Sequence, residues 1–202
     1  MKELIMEMER YSVEENIPLI EKDAITFLMK YVNKHGIKNI LEIGSGIGYS
    51  AILLATAMGE DGHISTIEKD ETRYMECLKN VKKCELEKRI NVVFQDALEL
   101  NLTGVEYDLI FIDASKGKFI DYFEKFKHFL SESGVIITDN LKFHGMAGNK
   151  NKLDKKNIES LVEKIESYIN FLKDNEDFTT KFYDIGDGLS VSVKKGNEEL
   201  IK

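Results

Sequence analysis

The chain has 202 residues, 43 % of them hydrophobic and 32 % charged, with a formal net charge of −8 at neutral pH. A chain this long buries about 70 % of its unfolded surface, so full disorder is excluded and a single domain is expected. The acidic balance argues against a dedicated nucleic-acid binder unless a local basic patch overrides it. The longest apolar stretch, Ala51–Met58, is too short to span a bilayer, and the amino-terminal residues lack a basic-then-apolar signal pattern. A cytoplasmic protein without a membrane partner is expected. Cys77 and Cys84 fall seven apart on one predicted helix, about 10.5 Å from each other, beyond disulfide reach. His35, His63, His128 and His144 are scattered singles, so no zinc spacing exists.

Residues 1–36 read as helical and stand apart from the rest of the chain, a cap or dimer element before a main domain over 37–202. Leu4, Ile5, Met8 and Tyr11 share one stripe, suited either to a partner or to the chain's own surface. From residue 39 strands and helices alternate. Asn39–Ile43 is an apolar strand, followed by a glycine cluster and a helix over Ser50–Met58. His63–Ile67 is the second strand, and Glu71–Cys84 a helix. Ile90–Phe94 and Asp108–Ile112 are further buried strands, and Lys118–Leu130 carries aromatic residues at helical spacing. Gly134–Thr138 is the fifth strand, and a long helix comes next with Ile158, Leu161, Ile165, Tyr168 and Leu172 on one face. Phe178–Ile185 and Leu189–Lys194 form a hairpin through Gly-Asp-Gly. Continuous apolar strands alternating with helices predict a parallel sheet covered on both faces. The closing hairpin puts one antiparallel strand in it, seven strands in all.

Gly44-Ser45-Gly46-Ile47-Gly48 lies between the first strand and the first helix of this alternation, where glycines allow a sharp turn and close approach of a nucleoside-type cofactor. Glu68 ends the second strand, where an acid can accept from both ribose hydroxyls. Asp96-Ala97 ends the third, where a carboxylate or a backbone amide can face an adenine edge. Nicotinamide dinucleotides and S-adenosylmethionine both fit such a loop. Glu42 two residues before the glycines, Tyr49 in place of the third dinucleotide-fingerprint glycine, and the terminal hairpin favour the methyl donor. In these features the chain resembles the Rossmann-like class I S-adenosylmethionine-dependent methyltransferases.

Asp113 ends the fourth strand and Asp139-Asn140 the fifth, and ligands bind beyond the carboxyl ends of parallel strands. Two carboxylates and an amide converging there are oxygen-only donors, suited to a hard cation such as Mg²⁺. Lys116, three residues beyond Asp113, is placed to act as a general base. Glu42-x-Gly-x-x-x-Gly-Tyr-Ser50, Thr66-Ile67-Glu68, Phe111-Ile112-Asp113-Ala114-Ser115-Lys116 and Thr138-Asp139-Asn140 resemble the cation-dependent O-methyltransferases of the catechol and caffeoyl-coenzyme A type. The resemblance runs from about Ile17 to Lys194. It implies Asp113, Asp139 and Asn140 as Mg²⁺ ligands and Lys116 as the base. It also implies Ile20, Glu42, Gly44, Ser50, Glu68, Asp96, Ala97 and the main chain at Asp113 around the methyl donor, and a homodimer.

Two phrases resemble one branch of that family, the bacterial tRNA 5-hydroxyuridine methyltransferases. They are Asn16-Ile17-Pro18 with Glu21-Lys22-Asp23, and Asp113–Lys118 together with Asp139–Gly145. The resemblance implies methylation of 5-hydroxyuridine to 5-methoxyuridine at the wobble position of a tRNA anticodon loop. The O4 and 5-hydroxyl of that base are vicinal oxygens, as in a catechol. Residues 141–157 carry Lys142, Lys150, Lys152, Lys155 and Lys156 against Asp154, a local basic stretch able to meet phosphates. Two alternatives stand beside this reading: a methyltransferase acting on a small-molecule vicinal diol such as a catechol, and an NAD-binding protein.

Overall fold

The computed structural model describes residues 1–114, 116–142 and 155–202, the side chains of residues 116 and 155–158 excepted. Two helices, α1 (Lys2–Glu14) and α2 (Lys22–His35), precede the sheet. The sheet's strands are β1 (Asn39–Ile43), β2 (His63–Glu68), β3 (Ile90–Phe94), β4 (Tyr107–Ile112), β5 (Leu130–Thr138), β6 (Phe178–Tyr183) and β7 (Leu189–Lys194). Between them lie α3 (Tyr49–Ala57), α4 (Glu71–Lys83), α5 (Phe119–Phe126) and α6 (Lys155–Lys173). Among the described residues the strands form one seven-stranded sheet in the order β3-β2-β1-β4-β5-β7-β6. β1 to β5 run parallel, and β7 is antiparallel to both β5 and β6. This is the expected doubly covered sheet with one reversed strand.

Side chains of successive strand residues point to opposite faces, and the buried residues divide accordingly. Ile40, Leu109, Phe111, Val135, Ile137, Val191 and Val193 join one core cluster with residues of α1 to α4. Leu41, Ile43, Ile110, Ile112 and Ile136 join the other, with Phe119, Tyr122, Phe123 and Phe126 of α5 and Tyr168 and Leu172 of α6. The α1 stripe turns toward its own chain: Met8 is buried, and Ile5 and Tyr11 pack against the first cluster. No helix among the described residues is long and apolar enough to cross a membrane.

The helix expected over Lys118–Leu130 is shorter. It ends at Phe126, passes through a 3₁₀ turn at Lys127–Phe129, and gives way to β5 at Leu130 rather than Gly134. The added strand residues are joined by an irregular register, Tyr107 facing Leu130 but Leu109 facing Val135. Ser131, Glu132 and Ser133 bulge there toward solvent, which is why their polarity reads as a loop. Leu130 packs over Gly134, where a Cβ would come within 2.7 Å of its side chain.

The chain turns back on itself in the sheet between β1 and β4: β2 and β3 extend one way from β1, β4 and β5 the other. Ligands of open parallel sheets bind in the crevice outside the carboxyl ends of the strands at such a switch point. The residues that come directly after β1 and β4 are Gly44 and Asp113.

Candidate active site at the switch point

The loop after β1 is built on glycines with positive φ. Gly44 has φ 101°, and a Cβ there would lie 2.1 Å from the Asp113 carbonyl oxygen. Its lack of a side chain therefore serves close packing of the loop on the residue that follows β4. Gly48 (φ 86°) starts α3 over Cys77, whose Sγ would be 2.8 Å from a Cβ. The N–H groups of Gly44 and Ser45 donate to the Ile67 carbonyl at 3.0 and 3.1 Å, pinning the loop to β2. The Asn80 amide of α4 donates to the Ile47 carbonyl at 3.0 Å.

Beneath the loop, Glu42 is fully buried. Its carboxylate accepts from Ser50 Oγ at 2.5 Å and from the Thr66 hydroxyl, which also meets Ser45 Oγ at 2.7 Å. Burial pushes the Glu42 carboxyl up to about 7; the two hydroxyl donors oppose the shift and Glu68 adds to it. Glu68 is nearly buried at the end of β2. Its Oε2 accepts from the Gly46 N–H and its Oε1 from the N–H groups of Lys69 and Asp70, all at 2.9 Å. Those bonds aim a fixed carboxylate along the loop and leave lone pairs for further donors.

Asp96 accepts from the Leu98 N–H at 2.9 Å and faces Lys69 Nζ at 3.3 Å. The Leu98 amide, then Lys69, hold its carboxyl below the usual carboxylate range. Ala97 is buried in the second core cluster. Ile20 lies in the first cluster with Ile47 and Tyr49 of the loop, and Tyr49 donates to Glu9 of α1 at 2.9 Å. The amino-terminal helices are thus tied to the glycine loop.

On the other side of Gly44, β4 and β5 are neighbours, as expected. Asn140 Nδ2 donates to Asp113 Oδ1 at 2.8 Å, and the Asn140 N–H donates to Asp139 Oδ1 at 2.7 Å. Asp113, Asp139 and Asn140 are therefore brought together. With Nδ2 engaged, the amide's Oδ1 is the atom that could serve as a ligand. The donor set is two carboxylates and one amide; among the described residues no cluster of three or more His, Cys, Asp or Glu side chains forms. All three donors offer oxygen, which fits a hard divalent cation. Asn140 has φ 68°, an unusual conformation for a residue with a Cβ.

Lys116 opens the 3₁₀ turn Lys116–Lys118, just beyond Asp113; its side chain lies outside the described residues, as does Ser115. Within the expected basic stretch, the Lys142 ammonium pairs with Asp184. Lys150 and Lys152, the side chains of Lys155 and Lys156, and Phe143–Gly145 of the phrase after Asp139 lie outside the described residues. The patterns at the strand ends do not disclose Ser45 and Thr66, which complete the Glu42 network, or Tyr49 and Asn80, which fix the loop. These residues act through neighbours distant in sequence. Asp187, within the hairpin signal, is a further buried carboxylate at this end of the sheet.

Comparison with known proteins gives consistent matches over nearly the whole chain. A family described as O-methyltransferase matches residues 1–195. Tapetum-specific methyltransferase 1 of Arabidopsis thaliana is 30 % identical over 183 residues, 88 % of this chain and 77 % of that protein. The crystal structure of a candidate caffeoyl-CoA O-methyltransferase from Staphylococcus aureus is similar with a TM-score of 0.85 at 31 % identity, covering 94 % of this chain and 91 % of that one. An O-methyltransferase from Bacillus cereus, solved in complex with SAH, gives 0.80 at 26 % identity, covering 96 % and 91 %.

Proposed function

This chain belongs to the O-methyltransferase family, and from that premise we propose that it methylates one of two vicinal oxygens, using S-adenosylmethionine and a divalent cation, with Mg²⁺ the natural choice. The observation that carries this reading is the meeting of the glycine loop and the oxygen donors at one switch point, where the Asp113 carbonyl packs on Gly44 and its carboxylate holds Asn140. Glu42, Gly44, Ser50, Glu68, Asp96, Ala97, Ile20 and the main chain at Asp113 would surround the methyl donor. Asp113, Asp139 and Asn140 would hold the cation.

When bound, the cation would lower the pKa of an acceptor hydroxyl and the sulfonium compound would supply the methyl group. Lys116, three residues beyond Asp113, would take the hydroxyl proton. Glu68, fixed by three backbone N–H groups, would orient the ribose, so that the glycine loop sets the direction of the methyl toward the acceptor. Holding the two reacting atoms in line supplies a large part of the rate in such reactions. Membership in this family leaves no role for the nicotinamide alternative.

The acceptor we propose is 5-hydroxyuridine at the wobble position of tRNA, on the strength of the Asn16-Ile17-Pro18 and Asp113–Lys118 phrases. A base in an anticodon loop is already single-stranded and needs little unpairing. A second reading, a small phenolic vicinal diol, is favoured by the relatives' descriptions and by Lys142, whose charge is spent on Asp184. The test offers labelled S-adenosylmethionine and Mg²⁺ with tRNA containing 5-hydroxyuridine or with a free catechol. Label entering the tRNA, lost with chelator and absent from tRNA lacking the hydroxyl, supports the first reading. Label entering the catechol alone supports the second. Label in neither refutes both acceptors.

A further inference from the structure

β7 runs antiparallel to β5, with Thr138 opposite Ser190, so the turn Asp184–Gly188 lies at the same end of the sheet as Asp139. It is wedged between two parts of the site. On one side, a Cβ at Gly186 would come within 3.1 Å of Ala24 and 3.3 Å of Glu21, just beyond Ile20. On the other, the Gly188 and Asp187 carbonyls accept from the N–H groups of Leu141 at 3.1 Å and Lys142 at 2.6 Å. These bonds grip the two residues immediately after Asn140. The left-handed backbone of Asn140 costs about 1–3 kcal/mol and persists only where the surroundings enforce it. Gly188 makes the grip possible, since a Cβ there would lie 2.9 Å from the Lys142 side chain.

The side chain of this turn is not satisfied. Asp187 is 9 % exposed, and its Oδ1 is buried without a hydrogen-bond partner; among the described residues the same holds for Ser190 Oγ. A buried carboxylate oxygen that lacks a donor is costly, and the described side chains and amides supply none. The donor is then left to come from water or from a group that a ligand carries. Hard cations bound through few protein ligands keep several waters, and carboxylates behind a metal site commonly accept from such outer groups and tune affinity.

We infer that Asp187 is a positioning residue of the cation site: its turn holds Asn140 in its ligating conformation, and its free Oδ1 accepts from the water shell of the bound cation. This rests on the divalent-cation reading above. The test measures Mn²⁺ binding by electron paramagnetic resonance and SAH binding by calorimetry on the full chain. Asp187→Ala should raise the Mn²⁺ Kd about ten- to a hundredfold with SAH affinity unchanged. Asp187→Asn, which keeps an oxygen acceptor without the charge and preserves side-chain size, should fall between the two. Unchanged Mn²⁺ affinity in Asp187→Ala overturns the inference. So does parallel loss of Mn²⁺ and SAH binding in both variants, or weaker acceptor binding with Mn²⁺ affinity intact. Wild-type protein that binds SAH but no Mn²⁺ would remove the cation reading itself, and this inference with it.

Discussion

Glu42→Gln isolates the buried carboxylate beneath the glycine loop. The side chain keeps its size, and an amide can still accept from one hydroxyl and donate to the other of the Ser50 and Thr66 pair. Burial raises the Glu42 carboxyl from an ordinary 4.5 to about 7. A raised folded-state value means the native protein binds the proton more tightly than the unfolded chain. Stability from this group is therefore fully present below about pH 4.5 and is lost as pH rises toward and through 7. The span of roughly two and a half units corresponds to about 3 kcal/mol. The variant and the wild type should then differ little near pH 4.5. By pH 8 the variant should be the more stable by up to about 3 kcal/mol, or about 6–12 °C in melting temperature for a chain of this length. Thermal unfolding of both proteins across pH 4.5–8.5 reads this directly. A difference in melting temperature that is constant over that range would refute the assignment of a raised value to Glu42.

Gly44→Ala adds a Cβ that would meet the Asp113 carbonyl oxygen at 2.1 Å on a backbone with φ 101°. Backbone strain alone costs about 1–3 kcal/mol, so calorimetry should show a melting temperature lowered by several degrees together with weakened SAH and Mn²⁺ binding. Lys116→Ala should cut turnover in the labelled-methyl assay and leave SAH affinity unchanged; an unaltered rate would remove Lys116 as the base. Tyr49→Phe deletes the hydrogen bond to Glu9 and should cost about 1 kcal/mol, seen as a small drop in melting temperature with turnover largely retained.

Much of this arrangement is legible in the residues themselves. The strand segments Leu109–Ile112 and Val135–Ile137 carry continuous apolar character, and the glycine loop, Glu68, Asp113 and Asp139-Asn140 announce themselves by falling where strands end. The parts that escaped are those decided by tertiary neighbours. Ser131–Ser133 reads as polar loop because it lies at the irregular register beside Tyr107 and turns toward solvent. Gly44 reads as a ligand-facing glycine, whereas its strictest neighbour is the Asp113 carbonyl. The stripe of Leu4, Ile5, Met8 and Tyr11 declares an apolar face but not what covers it, and Met8 is buried against its own chain. Lys142 counts as basic in the sequence, yet its charge goes to Asp184, far along the chain. Gly186-Asp187-Gly188 reads as a turn, and nothing local says that its carbonyls hold the segment after Asn140.

Two separable sites, a donor loop and an oxygen-ligated cation site, are proposed to meet at Gly44 and Asp113. Asp139→Ala tests this most directly, with SAH affinity and Mg²⁺-dependent methyl transfer measured on the same preparation. Unchanged SAH affinity with transfer abolished is the expected result. Full transfer by the variant in the presence of chelator would contradict it.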